Sequence, residues 1–111
     1  HSHRVKPAIF HPGAVEALRT FPVEVRRALG KANYDLQNGH LLSMPLSRPM
    51  SSVGPGASEL RIRDDSGSYR AFYVVKTEAG VVVFHAFVKK SQKTPARELE
   101  TGKKRFKEMM R

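Results

Sequence analysis

The spacing of apolar residues predicts a pair of helices in the N-terminal third of the chain. Ala14, Val15 and Leu18 lie at helical spacing and predict a short first helix that ends near Thr20. Pro22 is suited to the first turn of a second helix, whose apolar residues recur at i, i+4, i+7 and i+11 and form one face. That face and the end of the helix are marked by Val25, Leu29, Ala32, Leu36 and the Asn38-Gly39 pair.

Near residue 59 the apolar residues begin to recur at every second position, a spacing that predicts an antiparallel β-meander. Before this point, His40–Ser58 has three prolines, two glycines and no periodicity, so we expect a long loop. The predicted strands, joined by turns at residues 64–67 and 77–80, are Glu59–Arg63, Tyr69–Lys76 and Val81–Lys89. Arg4–Phe10 is a candidate edge strand, since Pro7 is tolerated only at the edge of a sheet.

A last helix is predicted to start at Pro95, with Thr94 as its cap. Its buried stripe is formed by Leu99, Phe106 and Met110. Gly102 weakens this helix by roughly 1 kcal/mol relative to alanine. The order of elements predicts an α+β fold, in which a helical hairpin packs on an antiparallel meander and a C-terminal helix follows. We expect the helices on one face of the sheet and the working surface on the other.

Composition and charge add a class of partner to this outline. The chain has 111 residues, and we expect one domain over residues 4–111, because His1-Ser2-His3 resembles the scar of an expression tag. Lys and Arg total 20 against 10 Asp and Glu, which gives a net charge of +10. Such a charge usually serves a polyanionic partner. A basic surface without a specific role and an acidic protein partner are the alternatives.

The chain has no cysteine, so disulfides and thiolate metal sites are excluded, and we expect a cytoplasmic protein. The longest apolar run, Val81–Val88, is about eight residues, well below the roughly 18 that a membrane span requires. The phosphate-binding loops, zinc motifs and nucleophile elbows that have known signatures are absent. We therefore expect no membrane contact, no metal and no cofactor.

The predicted meander concentrates side chains that suit RNA cleavage without a metal. That reaction needs a base for the ribose 2′-hydroxyl, cations for the phosphate and an acid for the leaving 5′-oxygen. Arginine donates two hydrogen bonds to phosphate, imidazole transfers protons near neutral pH, and tyrosine stacks on unpaired bases. The candidates of these types are Arg61, Arg63, Arg70, Tyr73, His85, Lys89, Lys90 and Lys93.

Each candidate also has a purely structural interpretation. Arg61 and Arg63 fit the solvated side of an amphipathic strand. Arg70 fits a structural ion pair with Glu59 or with an aspartate of the turn at residues 64–67. His85 lies among apolar residues, a pattern that is typical of a hydrogen-bonded core histidine. Tyr73 fits a core or interface position. The pattern of residues alone leaves these alternatives open.

Three motifs follow one another along the meander and into the last helix: ELR at residues 59–61, YRxxY at 69–73 and HxFxKKxQKTP at 85–95. In combination they resemble the phage-derived, HigB-type branch of the RelE superfamily of bacterial toxins, over roughly residues 59–105. The resemblance implies a RelE-like fold and ribosome-dependent mRNA cleavage without a metal. It also implies a cognate antitoxin, which we expect to be a helix-turn-helix protein that alone contacts operator DNA.

The resemblance further implies roles for individual residues. Arg70 matches an arginine that stabilises the scissile phosphate, and Arg61 and Arg63 match basic positions that contact RNA. We therefore expect catalytic roles for Arg61, Arg70, His85 and Lys89, and RNA binding by Arg48, Arg63, Tyr73, Lys90 and Lys93. The alternative is a module without catalysis, either a ParE-like topoisomerase poison or a toxin that only binds its antitoxin. A basic nucleic-acid-binding domain is a third interpretation.

Overall fold

The computed structural model describes residues 5–76 and 79–110. Within them the elements in chain order are β1 (Ala8–Phe10), α1 (Pro12–Arg19), α2 (Val23–Gln37), β2 (Ser47–Pro49), β3 (Ala57–Asp64), β4 (Gly67–Lys76), β5 (Gly80–Lys89) and α3 (Ala96–Met109). The predicted α+β class, with a helical hairpin, a meander and a C-terminal helix, is confirmed. The predicted tag remnant at residues 1–3, and residues 77–78 of the second predicted turn, lie outside the described residues.

The strands form one sheet in the order β1-β5-β4-β3-β2. β3, β4 and β5 are antiparallel neighbours, as the period of two predicts. The candidate edge strand is also confirmed: β1 lies at one edge and runs parallel to β5. Pro7 lies just before the paired residues of β1, so the proline does not interrupt the pairing with β5. Its carbonyl accepts a hydrogen bond from the backbone N–H of Val81.

The prediction of an unbroken loop over His40–Ser58 is wrong in part. Residues 47–49 form the edge strand β2, antiparallel to β3, and β3 itself begins at Ala57. Ser47 is buried, and its hydroxyl shares a hydrogen bond of 2.6 Å with the Tyr73 hydroxyl, which fixes β2 on the sheet. A strand of three residues is too short to display a period of two, so the sequence pattern could not reveal it.

The helical hairpin covers one face of the sheet. The buried face of α2 is the predicted one, and it packs with Phe21 and Ala14 against the inner side of the strands. On the sheet, this core is formed by Leu60, Tyr69, Ala71, Tyr73, Val81, Val83 and Ala86. Because Leu60 and the partly buried Ile62 point to this face, Arg61 and Arg63 point to the other.

The opposite face is covered by α3, so the expectation that all helices pack on one face is wrong. Leu99 and Phe106 of α3 pack against a second core, which contains Met50, Val53, Ala57, Phe72, Val74, Val82, Phe84 and Phe87. The reason is visible in β4 and β5, which are apolar on both sides over most of their length. Strands with two apolar faces need cover on both.

A β-bulge in β5 changes which side chains share a face. Phe72 pairs with His85 whereas Tyr73 pairs with Val83, so Phe84 is an extra residue on β5. Beyond the bulge, His85 joins Phe72 on the α3 side, while Val83 stays on the side of the hairpin. Val81 and Val83 therefore lie on the opposite face of the sheet from His85, although a regular alternation along β5 would put all three on one face.

Candidate nucleic-acid interface

The register of the sheet gathers positive charge at one end of its α3-facing side. Arg61 pairs with Arg70, Arg63 pairs with Ser68, and Ser68 in turn pairs with Lys89 on the next strand. Side chains directly opposite one another in antiparallel strands lie about 5 Å apart at their Cβ atoms. Arg61 and Arg70 are therefore immediate neighbours, and Arg63 and Lys89 flank the same serine.

These side chains line an open cleft of about 490 Å³, which we call the cationic cleft. Its lining consists of Arg61, Arg63, Ser68, Arg70, Lys89, Lys90, Ser91 and Gln92. Two further clefts adjoin it. One shares its arginines and adds the apolar wall of Pro45, Leu46 and Ile62. The other shares Lys89 and Gln92 and adds Arg48, Lys93 and Thr94 among its lining residues. Of the predicted site residues, the three clefts together contain all but Tyr73 and His85.

Arg70 is the least exposed cation of the cleft, with 5% of its surface accessible. Burial lowers the pKa of Arg70, as do the neighbouring charges of Arg61, Arg48 and Arg63, whereas Glu59 acts in the opposite direction. Its Nε is buried and has no hydrogen-bond partner in the described residues. A bound anion would satisfy this nitrogen and offset the mutual repulsion of the cations.

Lys89 lies at the end of β5, where the chain leaves the sheet. Its Nζ donates a hydrogen bond of 2.7 Å to the carbonyl of Gln92. Partial burial lowers the pKa of Lys89, and the charge of Arg70 lowers it further. A lysine whose pKa is lowered releases a proton more readily, so this position suits an acid that protonates a leaving oxygen.

One acidic residue at this site was not among the predicted site residues. Glu59 precedes Arg61 by two positions on the same face of β3 and is 2% exposed. Its Oε1 lies 3.7 Å from Nε of Arg48 and 3.9 Å from Nε of Arg61. The signal in the sequence was the alternation itself, which puts the glutamate of the ELR motif on the same side as the arginines.

His85 does not line the cationic cleft. It is 6% exposed, and both ring nitrogens have partners: Nε2 lies 2.8 Å from Oε1 of Glu98, and Nδ1 lies 3.1 Å from Nη1 of Arg105. Its ring stacks on Phe87, and burial lowers the pKa of His85. Its expected catalytic role is not supported by this placement, because the imidazole is held under α3 as a link between helix and sheet.

Tyr73 is also turned away from the cleft. It is 4% exposed, lies on the face of the helical hairpin, and its hydroxyl is bound to Ser47. Its expected role in stacking on RNA is incompatible with this burial, and the structural interpretation of Tyr73 applies.

The described residues were compared with the requirements for a metal site and for a membrane-spanning helix. Among residues 5–76 and 79–110, His, Asp and Glu side chains form no group of three or more that could hold a metal ion. In the same part of the chain, the helices are too short or too polar to cross a bilayer.

The molecule thus belongs to the class of small α+β domains that carry a cationic cleft at one end of a sheet. More narrowly, the chain belongs to the phage derived protein Gp49-like family (DUF891), whose model matches residues 16–107. This family is associated with the toxins of toxin–antitoxin systems. Among the curated proteins, none matches the chain.

Proposed function

We propose that this chain is the toxin of a toxin–antitoxin pair and that it cuts mRNA on the ribosome without a metal. The observation that carries the proposal is the convergence of Arg61, Arg63, Arg70 and Lys89 on one open cleft. Among the described residues, Arg63, Arg70 and Lys89 form no ion pair within 4 Å, so their charge is available to a ligand. The family, which is associated with such toxins, supports the biological setting.

The proposed chemistry follows from the position of each group. The guanidinium groups of Arg61 and Arg70 hold the non-bridging oxygens of the scissile phosphate and stabilise the charge of the pentacoordinate phosphorus. The 2′-oxygen attacks phosphorus as its proton leaves to solvent, and a 2′,3′-cyclic phosphate forms. The bond to the 5′-oxygen breaks, and the ammonium group of Lys89 protonates that oxygen. Arg63, Lys90 and the adjoining Arg48 and Lys93 bind flanking phosphates.

The narrower assignment, a RelE-superfamily toxin of the HigB-like type, belongs to the same proposal. It is supported by the ELR, YRxxY and HxFxKKxQKTP motifs, since their arginines and lysines line the clefts. A helix-turn-helix antitoxin would then neutralise the protein and would alone contact the operator.

Expression in bacteria tests the proposal. Arg70→Ala removes the buried cation of the cleft, while the control Arg27→Ala removes an exposed arginine of α2 and changes the net charge equally. We expect growth arrest and cleavage of translated mRNA with the wild type and with Arg27→Ala, and at least a hundredfold slower cleavage with Arg70→Ala. Absence of cleavage by the wild type, or equal cleavage by Arg70→Ala, would contradict the proposal.

A second candidate function is favoured by one specific observation. The lining of the cationic cleft contains no carboxylate and no imidazole, so the cleft offers no ordinary general base. A protein that binds RNA, or binds only an antitoxin, needs none. In the same experiment this alternative predicts growth arrest without mRNA ends, or no growth arrest at all.

A further inference from the structure

Glu59 is a buried carboxylate next to Arg61 of the cationic cleft and Arg48 of the adjoining cleft. Its Oε1 contacts two arginines at ion-pair distance, whereas its Oε2 is buried and has no hydrogen-bond partner in the described residues. Burial of a carboxylate with an unsatisfied oxygen costs free energy. A glutamine or a leucine at this position would avoid the burial of charge, so the presence of a carboxylate here calls for a physical reason.

The cost of burying the Glu59 carboxylate is offset by the positive charges of the cations around it. Arg48 and Arg61 contact the carboxylate directly. Arg70 and Lys89 lie further away but still respond to it: burial lowers the pKa of both groups, and the charge of Glu59 opposes this lowering. Glu59 is thus a common counter-charge for four cations, which the strand register otherwise forces together.

The contacts of Glu59 leave the outer ends of the arginines accessible. The carboxylate lies next to the inner Nε atoms of Arg48 and Arg61 at ion-pair distances, and Nε of Arg61 is buried without a hydrogen bond among the described residues. Of the outer nitrogens, Nη2 of Arg48 lies 3.6 Å from Sδ of Met50 and Nη1 of Arg61 lies 3.2 Å from Sδ of Met44. A thioether sulfur is a weak acceptor, so phosphate oxygens can replace it easily.

We propose that Glu59 is a positioning residue, which holds Arg48 and Arg61 by their inner nitrogens so that their outer nitrogens are aligned for RNA phosphates. This inference rests on the proposed function. It has a distinctive consequence, because Glu59 and a bound phosphate are both negative. The carboxylate weakens RNA binding by repulsion, while the alignment that it imposes speeds the reaction of the bound RNA.

The experiment separates binding from cleavage. Glu59→Gln keeps the shape of the side chain and removes its charge, Glu59→Asp keeps the charge, and Glu100→Gln is a control that removes a carboxylate from the exposed side of α3. Binding is measured with a 2′-O-methyl RNA that cannot be cut. Cleavage is measured in single turnover on programmed ribosomes at saturating protein. Circular dichroism and thermal melting verify that each variant is folded.

For Glu59→Gln we expect a dissociation constant for the 2′-O-methyl RNA that is about two- to fivefold lower, because one nearby negative charge is lost at an effective dielectric between those of protein and water. We also expect at least tenfold slower cleavage at saturation. Glu59→Asp should bind like the wild type and cleave at an intermediate rate, and Glu100→Gln should match the wild type in both. A change of binding and cleavage in the same direction would indicate a purely structural role and would overturn the inference.

The proposed cleavage of mRNA and the positioning role of Glu59 can fail separately. If the wild type cuts RNA and Glu59→Gln binds no more tightly, or cuts as fast, the positioning role is wrong and the proposed function stands. If the wild type binds the 2′-O-methyl RNA but cuts nothing, the proposed cleavage is wrong, and tighter binding by Glu59→Gln still supports the counter-charge role. If the wild type binds no RNA, both are overturned.

Discussion

Replacement of Gly102 by alanine should destabilise the protein, although alanine is the better helix former. Gly102 is buried in the middle of α3, where a Cβ atom would lie 2.7 Å from Cδ2 of Phe72 and 3.3 Å from Cγ1 of Val53. Phe72 is fully buried and is enclosed by the rings of Phe84 and Phe87, so it cannot move aside freely. The glycine therefore lets the helix approach the sheet closely.

The expected change in the free energy of unfolding of Gly102→Ala is the difference between a gain in helix propensity and a cost of overpacking. Alanine gains roughly 1 kcal/mol of helix propensity. Overpacking in a rigid core costs about 1–3 kcal/mol, so Gly102→Ala should lose about 1 kcal/mol in net stability. The same substitution at Gly30 is a matched control, because this glycine lies in α2 and a Cβ there meets nothing within 4 Å. Gly30→Ala should gain up to about 1 kcal/mol.

Urea denaturation measures both variants, and their midpoints should move in opposite directions with unchanged slopes. Phe72→Leu combined with Gly102→Ala should lose less stability than the sum of the two single variants, because the smaller side chain makes room for the added methyl group. Equal stabilisation by the two alanine variants would refute the close packing of α3 on Phe72.

Two further predictions concern charge. Burial lowers the pKa of His85, so the unfolded chain binds this proton more readily than the folded one, and stability should fall as the pH falls below the unfolded value near 6.5. The loss of unfolding free energy is at most about 1.4 kcal/mol per pH unit for one proton. In urea titrations between pH 7 and 5, His85→Gln should lack this pH-dependent loss. A pH profile identical to that of the wild type would contradict the prediction. Arg63→Ala should reduce the salt slope of single-stranded RNA binding by about 0.7, measured by fluorescence anisotropy, whereas an unchanged slope would show that Arg63 contacts no phosphate.

Much of the fold follows from local periodicity. The apolar face of α2 and the alternation in β3 each specify one element and one buried side, and the structure contains both. The position of α3 could also have been predicted, because β4 and β5 carry apolar residues on both faces and so require cover on both. Gly102 marks the contact, since it is the small residue that α3 places against Phe72.

Other features depend on contacts that no local pattern records. The bulge at Phe84 moves His85 to the α3 side, and a shift of one residue suffices to change every assignment of faces beyond it. The strand β2 is held by the buried contact between Ser47 and Tyr73, which are 26 residues apart. For the candidate site, alternation in β3 placed Arg61 and Arg63 on one face, whereas Arg70 and the lysines at the end of β5 were assigned their roles from the resemblance. The sequence did not identify Glu59 as their shared counter-charge, which depends on the pairing of β2 with β3.

The chemistry of the new RNA ends is the most direct test of metal-independent cleavage at the cationic cleft. Purified protein is added to ribosomes that carry a defined mRNA. The new RNA ends are then identified by mass spectrometry. We expect cuts that leave a 2′,3′-cyclic phosphate and a 5′-hydroxyl, produced by the wild type and by Arg27→Ala and strongly reduced with Arg70→Ala. Intact mRNA with the wild type, or the same yield of ends with Arg70→Ala, would contradict it.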